Sequence, residues 1–170
     1  WTGAACAASW WAYQGAKARV FVSPLDRLGQ RLGEAEAVSL LPADAFGAAL
    51  AWTGREVGAV WQDRRDPGAG YEVYFNRFDP TGARLGPDLR VSGTAGHSIQ
   101  PVLVWTGTDF VVVWQEAIDR RDPSRFVLAV RRLDATGRPA TPALVLAAIP
   151  RSAEGPSIAA APDGTLGVAW

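Results

Sequence analysis

Trp-Thr-Gly occurs three times in this chain, at residues 1–3, 52–54 and 105–107, at intervals of 51 and 53 residues. A second tryptophan follows each copy by nine positions, at Trp10, Trp61 and Trp114. Further on, Asp-x-x-Gly appears at Asp26–Gly29, Asp79–Gly82 and Asp134–Gly137, at intervals of 53 and 55 residues. Three independent markers in one order at nearly one interval define a tandem repeat. Such a chain folds as a row of like units that bury their apolar faces on each other. The tail from Pro162-Asp163-Gly164 to Trp170 begins a fourth unit and stops at its second tryptophan.

Each unit reads as four strands. In the third, residues 101–105 (PVLVW), 109–115 (DFVVVWQ), 126–133 (FVLAVRRL) and 143–148 (ALVLAA) are short runs rich in Val, Phe and Trp. Gly, Pro and Asp separate them, which is the strand-and-turn signal. Apolar residues on both faces mean that each sheet is covered on both sides. Asp can accept from its own turn backbone, and Gly three residues on can take a positive φ, so Asp26, Asp79 and Asp134 are expected to be hairpin residues rather than metal ligands. The stretch 25–50 is rich in Ala, Leu and Glu and could pass for helix on propensity. Its alignment with the other copies, and Gly29, Gly33 and Pro42 within it, argue for strand and turn instead.

Four strands per unit of about fifty residues match the repeat length of a β-propeller blade. The expected fold is therefore all-β: about three four-stranded antiparallel blades of an incomplete propeller, near residues 1–46, 47–99 and 100–155, with a partial blade at 156–170. The Gly-Gly doublet of kelch repeats, the paired Gly-His and Trp-Asp of WD40 repeats and the sialidase Asp-box are all missing. The pattern instead resembles the W-x-G, vvW-q-(D/E), R-x-D-x-x-G repeat of large secreted bacterial propeller-like proteins. That resemblance covers essentially the whole chain and implies an extracellular or cell-surface setting. It implies no particular activity, because its motifs are structural.

Composition narrows the function classes. Lys+Arg and Asp+Glu are equal at 17 each, so no net field recruits nucleic acid or an anionic membrane. Cys6 is the single cysteine, expected as a small buried hydrophobe, and it leaves no intrachain disulfide. No apolar run reaches the roughly 18 residues of a membrane span. The chain opens on Trp1, closes on Trp170 and contains no methionine. The expectation is a fragment that meets further blades of a parent chain or associates with itself.

The most distinctive feature beyond the fold grammar is a duplicate, Asp63-Arg64-Arg65-Asp66-Pro67 and Asp119-Arg120-Arg121-Asp122-Pro123, placed between the second and third strands of two units. Two readings stand side by side. Arg forks and carboxylates at a loop face could grip an anionic or polyhydroxyl ligand; the same charges could pair among themselves to shape a surface loop. The first unit has Tyr13 to Lys17 (YQGAK) at that place. Of eight tryptophans, six fall at the two repeat positions and Trp170 at the second of these, where they are expected to wedge between sheets. Trp11 lies outside the register, with Tyr13 nearby, and these two are the better candidates for exposed aromatic contact. His97, the only histidine, reads as a solvated loop residue. Glu72, Glu116 and Asp109 are carboxylates beside strand ends, without a motif that would make them a glycosidase pair. No catalytic residue, metal site or cofactor is expected. The expectation is a non-catalytic module that binds glycan or protein through its loops, or serves as scaffold. The alternative is a piece of a propeller hydrolase or lyase whose catalytic residues lie elsewhere.

Overall fold

A computed structural model describes residues 6–39, 43–66, 68, 70–93, 96–119, 122–147 and 155–170, with 122–124 and 147 described by their backbone alone. Among the described residues there are strands and no helix. The first sheet holds β1 (Cys6–Gln14), β2 (Lys17–Leu25) and β3 (Glu36–Ala37). The second holds β4 (Ala45–Trp52), β5 (Val57–Asp63), β6 (Glu72–Phe78) and β7 (Leu89–Arg90). The third holds β8 (Ser98–Trp105), β9 (Phe110–Asp119), β10 (Asp122–Leu133) and β11 (Leu144–Ala147), and the fourth β12 (Ser157–Ala160) and β13 (Leu166–Ala169). Neighbours in each sheet are antiparallel and follow chain order. The all-β expectation is met, and the described residues among 25–50 supply β3 and most of β4, with no helix among them.

The turns form as their residues dictate. Asp134 Oδ1 accepts from Thr136 N at 2.8 Å, Thr136 Oγ1 at 2.6 Å and Arg138 N at 3.0 Å, and Gly137 N donates to Asp134 O at 2.8 Å. Asp79 makes the same set with Thr81 and Ala83, and Asp26 a similar one with Leu28 and Gln30. These aspartates are hairpin residues. Gly137 has φ +87°, and a Cβ there would stand 2.4 Å from the Phe75 ring of the preceding sheet. One glycine thus serves the turn and the close approach of two sheets.

Apolar side chains fill the spaces between successive sheets. Val20 and Val22 of the first sheet meet Ala59, Trp61, Tyr74 and Phe78 of the second. Val60, Val73 and Phe75 of the second meet Phe110, Val112, Trp114 and Leu133 of the third. Val113 and Leu128 meet Ile158 and Val168 of the fourth. Adjacent residues of β5 and β9 therefore point to opposite neighbours, which is why these strands are apolar on both faces. Along the row, β1 lies beside β4, β4 beside β8 and β8 beside β12.

Trp61 and Trp114 are fully buried on the side facing the preceding sheet. Trp10, Trp52 and Trp105 are half-buried. Trp170 departs from expectation: it lies just past β13 and is 56% exposed, since the two-stranded fourth sheet offers it little to pack on. Cys6 is also only half-buried, in β1. Trp1 lies outside the described residues.

Candidate binding surface

The Asp-Arg-Arg-Asp loop of the second sheet turns most of its charge inward. Asp63 ends β5 and is wholly buried; it accepts from Arg65 N at 2.8 Å, Arg65 Nε at 2.9 Å and Trp61 Nε1 at 3.3 Å. Arg65 spans from Asp63 to Asp88 Oδ2 at 2.7 Å and lies 4.2 Å over the Tyr74 ring. Asp88 also takes Arg84 and the amide of Asn76. Burial works against the Arg65 charge, yet its hydrogen bonds to Asp63 and Asp88 outweigh this and raise its pKa above the ordinary value. Asp66 accepts from Tyr74 Oη at 2.7 Å and Arg90 Nη1 at 2.9 Å. Burial, and then this bond to Asp66, push the Tyr74 phenol up. Three of the four residues are thus committed within the fold.

Arg64 behaves differently. Its side chain is exposed and sits 5.9 Å over the ring of Tyr71. Tyr71 begins a chain of aromatic contacts that crosses from the second sheet to the first. It meets Phe46 at 5.9 Å, Phe46 meets Trp11 at 5.0 Å, and Trp11 meets Tyr13 at 5.9 Å, each pair edge to face. Trp11 is 48% and Tyr13 68% exposed. Lys17 and Asp44 border the strip as an exposed ion pair at 3.4 Å. Burial and the nearby Asp44 carboxylate raise the Tyr71 pKa, against the opposing pull of Arg64. Strand alternation explains the grouping: Trp11 and Tyr13 share one face of β1, and that face looks toward the start of β4, where Phe46 stands.

In the second copy, Asp119 and Asp122 face each other at the ends of β9 and β10. Arg120 and Arg121 lie outside the described residues, as does the Asp122 side chain. The structure therefore brings Arg64, Trp11 and Tyr13 to one surface, while Asp63 and Arg65 serve the interior of the same loop and Asp66 pairs with Arg90 and Tyr74 at its edge.

Two other sequence readings change. His97 is a tie between sheets rather than a solvated loop residue: its Nδ1 accepts from Tyr71 N at 3.1 Å and its carbonyl from Ala117 N at 2.8 Å. Asp44 holds the equivalent place one unit earlier, with Oδ1 accepting from Ala18 N at 3.0 Å. Glu72 and Glu116, separate in the sequence reading, come together as buried carboxylates on neighbouring sheets, each within hydrogen-bond distance of Ser98. Asp109 stands apart at a hairpin, paired with Arg132 at 3.2 Å.

Sequence reasoning missed Phe46 and Tyr71. The signal available was position: each lies next to a strand start at the same end of the sheets as Trp11 and Tyr13. Among the described residues no three His, Cys, Asp or Glu side chains group as metal ligands would. Neither a protein-family model nor a curated protein matches the chain.

Proposed function

We propose that this chain is a run of blades from a β-propeller-type repeat protein and acts as a non-catalytic binding module of a secreted or surface protein. Its contact surface is the strip Tyr13, Trp11, Phe46 and Tyr71 with Arg64, and its ligand is a glycan. The propeller reading draws support from like antiparallel sheets packed in chain order with β4, β8 and β12 side by side. The binding reading rests on one observation: a continuous aromatic strip, exposed at Trp11 and Tyr13, with a guanidinium stacked at one end. The C–H face of a sugar ring packs on exposed aromatic rings, while Arg64 and the Lys17–Asp44 pair offer donors and acceptors to its hydroxyls. A non-catalytic role is favoured because Glu72 and Glu116, the two candidate carboxylates that meet, are buried between sheets.

A scaffold role is the second reading, favoured by the pairing of Asp63, Arg65 and Asp66 with groups of their own sheet. A glycan array on the intact chain, followed by titration of the best glycan, separates the two. Trp11→Ala and Arg64→Ala each weaken binding at least about tenfold, a loss of roughly 1.4 kcal/mol, with melting unchanged. Absence of any bound glycan, or an affinity unchanged from that of the unsubstituted chain in both variants, overturns the binding reading.

A further inference from the structure

Next to Tyr71 of the aromatic strip, the junction of the second and third sheets contains a buried group of polar side chains that binding does not use. Glu72 opens β6, Ser98 opens β8, Glu116 is the register partner of Ser98 on β9, and Ser92 follows β7. Glu72 and Ser98 are 0% exposed, Ser92 3% and Glu116 5%. The backbone closes the junction beside them, with Ser98 N donating to Tyr71 O at 2.7 Å.

Counting protons shows the tension in this group. A serine hydroxyl has one proton to give. Ser92 donates to Glu72 Oε2 at 2.5 Å. Ser98 Oγ lies 2.9 Å from Glu116 Oε2 and 3.4 Å from Glu72 Oε2, so one proton stands between two carboxylates. The nearer one, Glu116, also takes Trp114 Nε1 at 2.6 Å. With both carboxylates ionised, the contact of Glu72 with Ser98 sets lone pair against lone pair. A proton on Glu72 turns it into a directed chain, Glu72 to Ser98 to Glu116, running from one sheet to the next.

We propose that Glu72, Ser98 and Glu116 form a proton-linked latch between the second and third sheets, which closes when Glu72 takes up a proton in acid medium. Among the described residues, the charged and titratable groups facing Glu72 are Asp63, Arg90, Glu116 and His97. Asp63, its register partner on β5, is neutralised by Arg65. Arg90 beside β7 places Nη2 2.5 Å from Glu72 Oε1 and is shared with Asp66. Glu116 faces it from β9, and His97 stands beside Ser98 with Nδ1 occupied by the Tyr71 amide. Ser92 and then Arg90 favour the ionised form of Glu72, against burial and the Glu116 charge.

The direction agrees: burial chiefly, then Glu116, outweigh Ser92, Arg90 and Ser98, leaving the Glu72 pKa above the ordinary value. A carboxyl whose pKa is raised on folding binds its proton more tightly in the folded state. Stability from this group therefore rises as pH falls from the folded pKa toward the ordinary glutamate range. Tyr71 precedes Glu72 and His97 precedes Ser98, so the latch firms the seat of Tyr71 in the strip.

Glu72→Gln tests this, because glutamine carries permanently the donor that a protonated Glu72 supplies. Melting of both proteins is followed between about pH 4 and pH 7. At neutral pH the variant melts higher by about 2–4 °C, and the gap closes on acidification. A variant that melts lower by the same margin at every pH overturns the latch. Carboxyl NMR titration of the unsubstituted chain decides independently of how the variant folds. One glutamate titrating above about 4.3, coupled to a second, supports the latch, and all glutamates at or below that value sink it.

Discussion

The first and second sheets spend the same strand end in opposite ways. In the second, β5 finishes Trp61-Gln62-Asp63 and Arg64 follows; in the first, β1 runs Trp10-Trp11-Ala12-Tyr13 at the matching positions. Gln62 Oε1 takes the backbone N–H of Gln100 on the third sheet at 2.8 Å, and Asp63 is buried under Arg65. At the place of Gln62 the first sheet has Trp11, which packs on Phe46 and keeps a face open. One backbone slot can thus carry a polar tie between sheets or an exposed aromatic surface. The repeat supplies the slot, and the side chain that differs between copies gives it a use.

This contrast breaks most visibly at the two tryptophans. Trp61→Ala empties a fully buried site between sheets and costs about 3–5 kcal/mol, whereas Trp11→Ala, half exposed, stays within about 1 kcal/mol. Denaturant unfolding of both variants checks this, and equal losses would dissolve the distinction between packing and contact aromatics. Arg65→Ala comes next at about 3 kcal/mol, because it strands buried Asp63 and Asp88 without their cation. Arg64→Ala, from the same loop, leaves the melting temperature in place. Gly137→Ala follows at about 1–3 kcal/mol, from a positive φ and the clash with Phe75.

The smallest effect is a pH dependence opposite in sign to the Glu72 latch. A side-chain hydrogen bond from Thr81 holds the Asp79 pKa below the ordinary carboxylate value, and Thr136 does so for Asp134. Groups depressed on folding stabilise above the ordinary pKa, and that contribution fades as pH falls through the folded value. Asp79→Asn and Asp134→Asn therefore flatten the acid limb of the melting curve below about pH 4 and leave the Glu72 window unchanged. A limb that stays as steep in both variants would show that the turns do not contribute.

Much of this fold could be read in the residues themselves, for local reasons. An aspartate that caps its own turn and a glycine that accepts positive φ act within five residues. The strings around 26–30, 79–83 and 134–138 therefore announce hairpins without reference to anything distant. Apolar runs such as Val111-Val112-Val113 likewise announce a strand covered on both faces. Trp11 stood out as the aromatic off the repeat register, with Tyr13 nearby, and both are exposed.

The partners in space could not be read, because they come from strands a whole repeat apart. Phe46 and Tyr71 join Trp11 only when β1 and β4 lie side by side and the residues before β6 fold over them. Arg64 and Arg65 are neighbours of one residue type; which meets solvent and which is buried depends on where Asp88 and Tyr71 arrive. Glu72 and Glu116 look like isolated strand ends until sheet packing sets them on either side of Ser98. The sequence determined the strands, the turns and the repeat, since these rest on interactions a few residues long. Tertiary structure alone decided which side chains share a surface and which share a proton, since those depend on how one sheet seats against the next.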